Sequence, residues 1–304
     1  MTVCDIFDKD ADNTGLVVGL GYFDTVHRGH EYLINKVVEL SAKLGATPAV
    51  FTFSNDPFRS LGKSTKSVFD FDERKLRLSC LGVKKVIGAY FDENFSSLSG
   101  EEFLSVLTEN HNVVHVVAGS DFRCGKNANC GTDEIIDILS KKGVGFDCVE
   151  LVKAGGVKIA SRDIRVMLEE GDVEKVNTLL SMPYAVTGEV LEGRRDGRRI
   201  GFPTVNMEKN DLCVIPKDGV YATVAIVRSK RYKGVTNVGT HPTFNDLERN
   251  IETHIIGFDG EIYGETVRIE FLKRLRGVMK FASVDALRAQ IASDREKVIR
   301  EVEI

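Results

Sequence analysis

The 304-residue chain has no tryptophan, only six cysteines and six prolines, and no apolar run near the roughly 20 residues that a membrane-spanning helix needs. The cysteines are scattered and none forms a C-x-x-C pair, which excludes a zinc ribbon and a disulfide-built fold. The N-terminus shows no basic segment followed by an apolar one, so we expect no secretory signal peptide. Reduced thiols without an export signal predict a cytoplasmic protein.

A strong positive charge is also missing. The formal net charge is −4, whereas a dedicated nucleic-acid-binding protein is usually strongly basic. We therefore expect neither nucleic acid nor a membrane as partner, and nothing in the sequence indicates an oligomeric state. Hydrophobic residues at 42 % and charged residues at 28 % are typical of a soluble globular protein, and the length suggests two domains.

The first half of the chain alternates short apolar runs with helix-like stretches. The apolar runs, which we predict to be strands, are Gly15–Gly21, Thr47–Phe53, Val83–Tyr90, Val113–Gly119 and Gly145–Leu151. The predicted helices are Gly29–Leu44, Asp72–Leu81, Gly100–Leu107, Thr132–Lys141 and Ser161–Leu180, the last broken near Gly171. Because nearly all-apolar strands alternate with helices, we predict a parallel sheet covered by helices on both faces.

The second half changes to strands that alternate apolar and polar residues. These are Tyr184–Leu191, Gly219–Val227, Arg231–Val238, Ile251–Phe258 and Thr266–Leu272. The pattern is typical of an antiparallel sheet or barrel, and a helix over Ser283–Arg300, with Ser283 as N-cap, ends the chain. Residues 1–182 carry a net charge of −6 and residues 183–304 one of +2. We predict one domain in each of these ranges.

The segment Gly21–His30 follows the first predicted strand and opens the first helix. A helix N-terminus offers unpaired N–H groups and a positive dipole end, which favour phosphate. His27 and His30 are three residues apart and can share one helical face. A histidine pair alone is more often structural or metal-binding, but its place beside glycines at this edge predicts a phosphate site.

Two further segments reach the same predicted sheet edge. Gly119–Lys126 follows the fourth strand and mixes Gly, Asp, Arg and Lys, which suits ribose and phosphate contacts. Ser161–Arg165 starts a helix, and the fork of an arginine matches phosphate geometry. Each segment alone is equally compatible with a solvated turn.

A second group of candidate functional residues lies in the C-terminal half. The arginine-rich run Arg194–Arg199 precedes Gly201–Asn206, in which the oxygens of Thr204 and Asn206 are hard ligands two residues apart, as Mg²⁺ prefers. The alternative is a hairpin turn beside a solvated arginine cluster. Glu252 lies on a predicted strand and is a candidate general base, although a surface glutamate is the more frequent case.

Taken together and in order, these motifs resemble the bacterial bifunctional riboflavin kinase/FMN adenylyltransferase family, the prokaryotic FAD synthetases. The matching segments are Gly21–His30, Asp121-Phe122 with Gly125, Ser161–Arg165, Gly201–Asn206, Gly234–Gly239, Pro242–Phe244, Glu252–Ile255 and Tyr263-Gly264. A histidine pair with an intervening glycine is common among nucleotidyltransferases, but its combination with Gly-x-Pro-Thr-x-Asn is highly specific.

The resemblance implies a Rossmann-like nucleotidyltransferase domain followed by a riboflavin-kinase β-barrel with a terminal helix. It implies an enzyme with small-molecule substrates: riboflavin and ATP give FMN in the barrel, and FMN and a second ATP give FAD and pyrophosphate in the first domain. It also implies Mg²⁺ as the metal.

The same resemblance assigns roles to individual residues. Glu252 would be the kinase base, Thr204 and Asn206 would hold Mg²⁺, and His27 and His30 would stabilise the adenylyl-transfer transition state. The implied nucleotide-binding residues are Gly21, Phe23, Asp24, Gly29, Asp121, Phe122, Gly125, Ser161, Arg165, Gly201, Pro203, Thr204 and Asn206.

The departures from the family pattern are concentrated in the N-terminal half, at Tyr22, Thr25, Phe58, Cys124, Ala160 and Arg162. In the kinase half the plainest change is His241, where the family usually has arginine. The N-terminal departures leave open a monofunctional riboflavin kinase with a degenerate first domain, which the intact histidine pair opposes. A non-catalytic flavin or nucleotide sensor is a further alternative. It predicts loss of the candidate base or of the hydroxyl ligand, and both are present.

Overall fold

The computed structural model describes residues 1–11, 13–63, 66–150, 153–154, 157–192, 197, 200–208, 210–241 and 246–304. The chain forms two compact units, Met1–Ser161 and Arg162–Ile304. Among the residues so described, no helix is long and apolar enough to span a membrane.

The first unit is built on a six-stranded sheet. Its strands are β1 (Thr2–Asp5), β2 (Leu16–Leu20), β3 (Thr47–Phe53), β4 (Lys85–Ala89), β5 (Val113–Gly119) and β6 (Gly145–Val149). They lie in the order β1-β4-β3-β2-β5-β6, and every pair is parallel. A short antiparallel hairpin follows, formed by β7 (Lys153–Ala154) and β8 (Val157–Lys158).

Helices cover both faces of this sheet. They are α1 (Arg28–Leu44), α2 (Pro57–Ser60), α3 (Phe71–Cys80), α4 (Glu93–Ser97), α5 (Gly100–Asn110) and α6 (Thr132–Lys141). Strand β2 is buried over its whole length. Its neighbouring residues Val17 and Val18 point to opposite faces and belong to two separate hydrophobic clusters, one under α1 and α3 and the other under α4, α5 and α6. The apolar strands thus supply two cores at once.

Capping side chains set where the helices begin. Asp70 and Ser99 each accept a hydrogen bond from a backbone N–H of the first turn of α3 and α5. Helix α5 has a full capping box, in which the Glu102 side chain accepts from the Ser99 N–H at 2.7 Å. Helix α1 is capped by His27, a residue type that is not among the preferred N-caps.

In the second unit, two helices precede a closed antiparallel barrel. The helices are α7 (Ser161–Glu170), whose first residue belongs to the first unit, and α8 (Val173–Leu179). The strands are β9 (Ala185–Leu191), β10 (Val205–Met207), β11 (Gly219–Val227), β12 (Lys230–His241), β13 (Asp246–Ile255) and β14 (Thr266–Arg276). They close in the order β10-β13-β12-β11-β14-β9. Helix α9 (Val284–Glu301) ends the chain, with Ser283 as N-cap as predicted.

The barrel has an interior and an outer face because side chains alternate along each strand. Thr223, Thr236 and Thr253 are fully buried and form a chain of hydroxyl hydrogen bonds, each 2.8 Å long. On the outer face, Val224 and its neighbours pack against Val298 of α9. The terminal helix therefore covers one outer patch of the barrel.

The predicted fold class is confirmed: a parallel sheet with helices precedes a closed antiparallel barrel and a terminal helix. Helix α8 packs on β14, and the Asn177 side chain donates to the Phe271 carbonyl at 2.8 Å and accepts from the Tyr184 N–H at 2.8 Å. Helices α7 and α8 thus precede the predicted boundary at residue 182 but lie, after Ser161, in the unit of the barrel. That boundary stays a prediction.

Candidate active sites

The paired histidines meet at the start of α1. The Nδ1 atom of His27 accepts a hydrogen bond from the His30 backbone N–H at 3.1 Å. The two imidazole rings stack with centroids 3.8 Å apart and an angle of 6° between planes. One histidine thus caps the helix and also supports the ring of the other, which the residue spacing alone did not predict.

His30 is held in its neutral form. Burial, and to a lesser extent the neighbouring His27, lower the pKa of His30 well below its ordinary value. The edge of its ring contacts Phe23 at 5.2 Å between centroids. Its Nδ1 atom is buried and has no hydrogen-bond partner in the described part of the chain. An unsatisfied buried nitrogen at a helix N-terminus is a place for a ligand to bind.

The turn between β2 and α1 is strained. Phe23 and Val26 have φ values of 52° and 43°, in the left-handed region that residues with a Cβ seldom adopt. Gly21 is required here because a Cβ would lie 2.8 Å from the Phe23 ring. The buried Asp24 accepts a hydrogen bond from the Val68 N–H at 3.0 Å, which ties the turn to the segment before α3.

Two of the departures from the family pattern contact each other. The rings of Tyr22 and Phe58 meet edge to face, with centroids 6.1 Å apart. The Tyr22 hydroxyl lies 3.2 Å from the Ser67 hydroxyl, and the guanidinium of Arg74 lies 5.0 Å from the Tyr22 ring centroid. Burial, with Asp24 adding a smaller effect, raises the pKa of Tyr22 to about 12. Tyr22 is therefore a packed, protonated side chain.

Arg74 is a buried polar residue that no sequence motif indicates. This arginine of α3 is buried and donates to the Tyr22 and Phe53 carbonyls at 2.9 and 2.8 Å and to the Thr52 hydroxyl at 3.1 Å. It joins the carboxyl ends of β2 and β3. Amphipathic patterns place arginine on the exposed side of a helix, so only the structure shows this role.

The second predicted segment follows β5, the strand that neighbours β2. Parallel neighbours end at the same sheet edge, so Gly119–Lys126 and Gly21–His30 share that edge. Phe122 packs against the core and Asp121 is exposed. Gly125 has φ of 74°, and a Cβ there would lie 2.4 Å from the Gly100 backbone nitrogen. Only glycine fits this position.

The third predicted segment is divided between the two units. The Ser161 hydroxyl lies 3.2 Å from the hydroxyl of Thr25, a residue of the strained turn. Thr25 departs from the family pattern, yet it brings Ser161 to the first site. Gly29 lies in the first turn of α1, beside the paired histidines. Arg162 and Arg165 lie further along α7, in the second unit.

The second site forms on the barrel. The Thr204 hydroxyl donates a hydrogen bond to the Glu252 carboxylate, although 48 residues separate them. Asn206 of β10 lies directly opposite Glu252 of β13 in the strand register. All three side chains are half-buried. The structure thus places Glu252 beside Thr204 and Asn206, the two residues that the sequence named as a pair.

A tight turn leads into this site. Gly201 has φ of 83°, and the Phe202 N–H donates to the Gly197 carbonyl at 2.9 Å. The ring Nδ1–H of His254 donates to the Pro203 carbonyl at 2.8 Å, and burial lowers the pKa of His254. Helix α9 supports the turn, since Arg288 donates to the Ile200 carbonyl at 3.1 Å.

Two predicted segments lie largely outside the described residues. Of the arginine-rich run Arg194–Arg199, only Gly197 is described. A Cβ on Gly197 would lie 2.9 Å from the Thr204 hydroxyl oxygen, so glycine is required beside the site. The matching segment Pro242–Phe244 is also outside.

The two units define a class of protein: a parallel α/β unit with a histidine-capped helix, followed by a closed barrel with a hydroxyl, amide and carboxylate cluster. Comparisons with known proteins agree with this class. The FAD synthetase family model matches residues 9–163 and the riboflavin kinase model matches residues 180–302. The chain belongs to the bifunctional riboflavin kinase/FMN adenylyltransferase family.

Relatives match along nearly their whole length. The bifunctional riboflavin kinase/FMN adenylyltransferase of Bacillus subtilis is 37 % identical, over 93 % of this chain and 92 % of that protein. The protein of the same name from Escherichia coli K12 is 33 % identical, over 94 % and 92 %. A crystal structure described as a macrolide-efflux protein from Streptococcus pneumoniae is 29 % identical and covers both chains completely, with a TM-score of 0.88.

Proposed function

We propose that this chain makes FMN and then FAD. The barrel phosphorylates riboflavin with ATP, and the α/β unit joins FMN to the AMP moiety of a second ATP with release of pyrophosphate. The observation that carries the proposal is the presence of two separate polar sites in one chain: Thr204 with Glu252 in the barrel, and His27 with His30 in the α/β unit. We assign the two activities to residues 183–304 and 1–182.

In the barrel, Glu252 is the general base. Its carboxylate accepts the proton of the terminal ribityl hydroxyl of riboflavin as that oxygen attacks the γ-phosphorus of ATP. The bond between the γ-phosphorus and the β,γ-bridging oxygen breaks, so that ADP leaves and FMN is formed. The Thr204 hydrogen bond holds the carboxylate in one orientation. Half-burial of Glu252 keeps the carboxylate accessible to a substrate while limiting the water around it. Gly201 and Pro203 shape the turn that would face the nucleotide.

The residues of the barrel site fit Mg²⁺. The Thr204 hydroxyl uses its single proton for Glu252, which leaves its lone pairs for a cation, and the Asn206 carbonyl is a second hard oxygen. When Mg²⁺ is bound, these two oxygens of Thr204 and Asn206 would hold it. The metal would neutralise charge on the transferring phosphoryl group.

In the α/β unit, His27 and His30 act on the α-phosphate of ATP. The phosphate of FMN attacks this phosphorus, and imidazole N–H groups beside the positive end of α1 stabilise the charge that develops. The unsatisfied Nδ1 of His30 supports a ligand at this point. No covalent intermediate on the protein is needed. Gly21 and Gly29 allow the backbone to approach the phosphates.

Four of the departures from the family pattern, Tyr22, Thr25, Phe58 and Cys124, are accommodated by contacts within the first unit. Tyr22 packs against Phe58 and Arg74, and Thr25 reaches Ser161. Cys124 pairs with Cys130 through two backbone hydrogen bonds of 2.9 and 3.0 Å. Each of these residues thus has a structural partner. All six cysteines are free thiols, in keeping with a cytoplasmic location, which we include in the proposal.

Product analysis tests the proposal. Purified protein is supplied with riboflavin and Mg-ATP, and FMN and FAD are resolved by chromatography over time. We expect FMN to appear first and FAD to follow. FMN without FAD, also when FMN itself is supplied, would contradict the proposed role of the α/β unit. The absence of both products under reducing conditions would contradict the enzyme assignment.

A further inference from the structure

A row of polar residues crosses three neighbouring barrel strands. Glu252 of β13 lies opposite Asn206 of β10 on one side and opposite Asn237 of β12 on the other. Directly opposed residues of antiparallel strands share a face of the sheet, with Cβ atoms about 4.5–5.5 Å apart. The carboxylate of Glu252 is therefore flanked by two carboxamides.

The row lies on the outer face of the barrel. The residues that precede Asn237 and follow Glu252, Thr236 and Thr253, are fully buried in the interior and hydrogen-bonded to each other at 2.8 Å. Asn237 and Glu252 must point the other way, and both are half-buried. The buried threonine pair fixes the register of β12 and β13, and with it the position of Asn237 beside Glu252.

The Asn237 side chain lies on the same face of the sheet as the Glu252 carboxylate, one strand away. Within the described part of the chain its carboxamide makes no hydrogen bond, although an amide supplies two N–H donors and one acceptor. Asn206, on the other side, fits the metal as an oxygen ligand. The two amides of the row thus lie beside the same carboxylate but have different roles. The Asn206 oxygen is available to the metal, and the Asn237 N–H groups are available to Glu252.

We infer that Asn237 is a positioning residue for the phosphorylation of riboflavin. This inference rests on the proposed function of the barrel. When substrate is bound, a carboxamide N–H of Asn237 donates a hydrogen bond to the Glu252 carboxylate. This hydrogen bond and that of Thr204 turn the basic oxygen toward the attacking hydroxyl. Asn237 acts through Glu252 and does not contact the reacting atoms.

The test compares two substitutions of Asn237 in the full-length protein. Asn237→Leu keeps the size and removes both donors, whereas Asn237→Ser keeps one short donor. For the leucine variant we expect kcat for FMN formation to fall roughly 10- to 100-fold, with the KM values for riboflavin and Mg-ATP within about threefold of wild type. The serine variant should recover a clear part of kcat. Lys230→Leu, at the exposed start of the same strand, is the control.

Riboflavin fluorescence and thermal unfolding provide readouts besides activity. We expect riboflavin binding and the barrel melting temperature to stay near wild type in both variants. Unchanged kcat in the leucine variant would overturn the inference. So would a rise in KM at constant kcat, or equal losses in both variants together with a lower melting temperature. A wild-type protein that forms no FMN would instead overturn the proposed function.

Discussion

The buried arginine of α3 gives a prediction whose size follows from the structure. Arg74 is 2 % exposed and donates three hydrogen bonds, to the carbonyls of Tyr22 and Phe53 and to the Thr52 hydroxyl. Arg74→Met keeps a long side chain but removes all three donors. The turn that carries the paired histidines then loses its link to the end of β3.

The acceptors determine how much stability is lost. The Tyr22 carbonyl still accepts a hydrogen bond from the Thr52 hydroxyl at 2.7 Å, so losing the Arg74 bond at this carbonyl costs little stability. The Phe53 carbonyl loses a bond from a charged donor, worth about 1.5–3 kcal/mol. Methionine avoids the cost of burying a guanidinium, which offsets part of the loss. We expect a net destabilisation of about 1.5–3 kcal/mol, which is a fall in melting temperature of roughly 3–12 °C for a unit of this size.

Circular dichroism on heating measures the melting of the full-length variant, and FAD formation from supplied FMN measures the site. We expect both to fall, while FMN formation from riboflavin stays near wild type. Lys43→Met is the matched control, because Lys43 is exposed and pairs with Glu39 across one helical turn; we expect no measurable shift. An Arg74→Met protein that melts within 2 °C of wild type, roughly the resolution of such a scan, and forms FAD normally would refute the reasoning.

Three further predictions concern protonation and packing. Because the folded-state pKa of His30 is lowered while the unfolded chain titrates near about 6.5, the unfolded state takes up a proton first as pH falls. We therefore expect the urea midpoint of the α/β unit to fall between pH 7.5 and 5.5, and His30→Asn to reduce that slope. Thr236→Val removes a buried hydroxyl that is bonded to two neighbouring threonines; urea unfolding should show about 1–3 kcal/mol of lost stability, and Thr236→Ser should lose less. Gly100→Ala would place a Cβ 2.3 Å from that of Cys130, so we expect FAD formation to fall while FMN formation is retained, as a chromatographic assay would show.

The sequence predicted the fold best where apolar runs are continuous. The predicted bounds of β3 and β5, Thr47–Phe53 and Val113–Gly119, equal those of the structure, because the central strands of a parallel sheet are largely buried and rich in apolar residues. Strand β1 was missed. It is an edge strand of four mostly exposed residues, and its pairing with β4 depends on backbone hydrogen bonds. No side-chain pattern indicates such a strand.

The candidate sites were predictable in part. The spacing of His27 and His30 indicated one helical face, and the rings do lie together. The contact between Thr204 and Glu252 could not be predicted from residue spacing, because it depends on the register of two strands far apart in sequence. The resemblance to a known family named these residues, but only the barrel shows that they meet. Buried polar partners such as Arg74 follow from tertiary packing alone.

The central claim is that each unit carries out one step. Its most direct test is product analysis of two variants, Glu252→Gln and His30→Asn, each supplied with Mg-ATP and either riboflavin or FMN. We predict that the glutamine variant forms no FMN but still converts supplied FMN to FAD, and that the asparagine variant accumulates FMN without FAD. A glutamine variant that loses both steps, or an asparagine variant that forms FAD at the wild-type rate, would contradict the account.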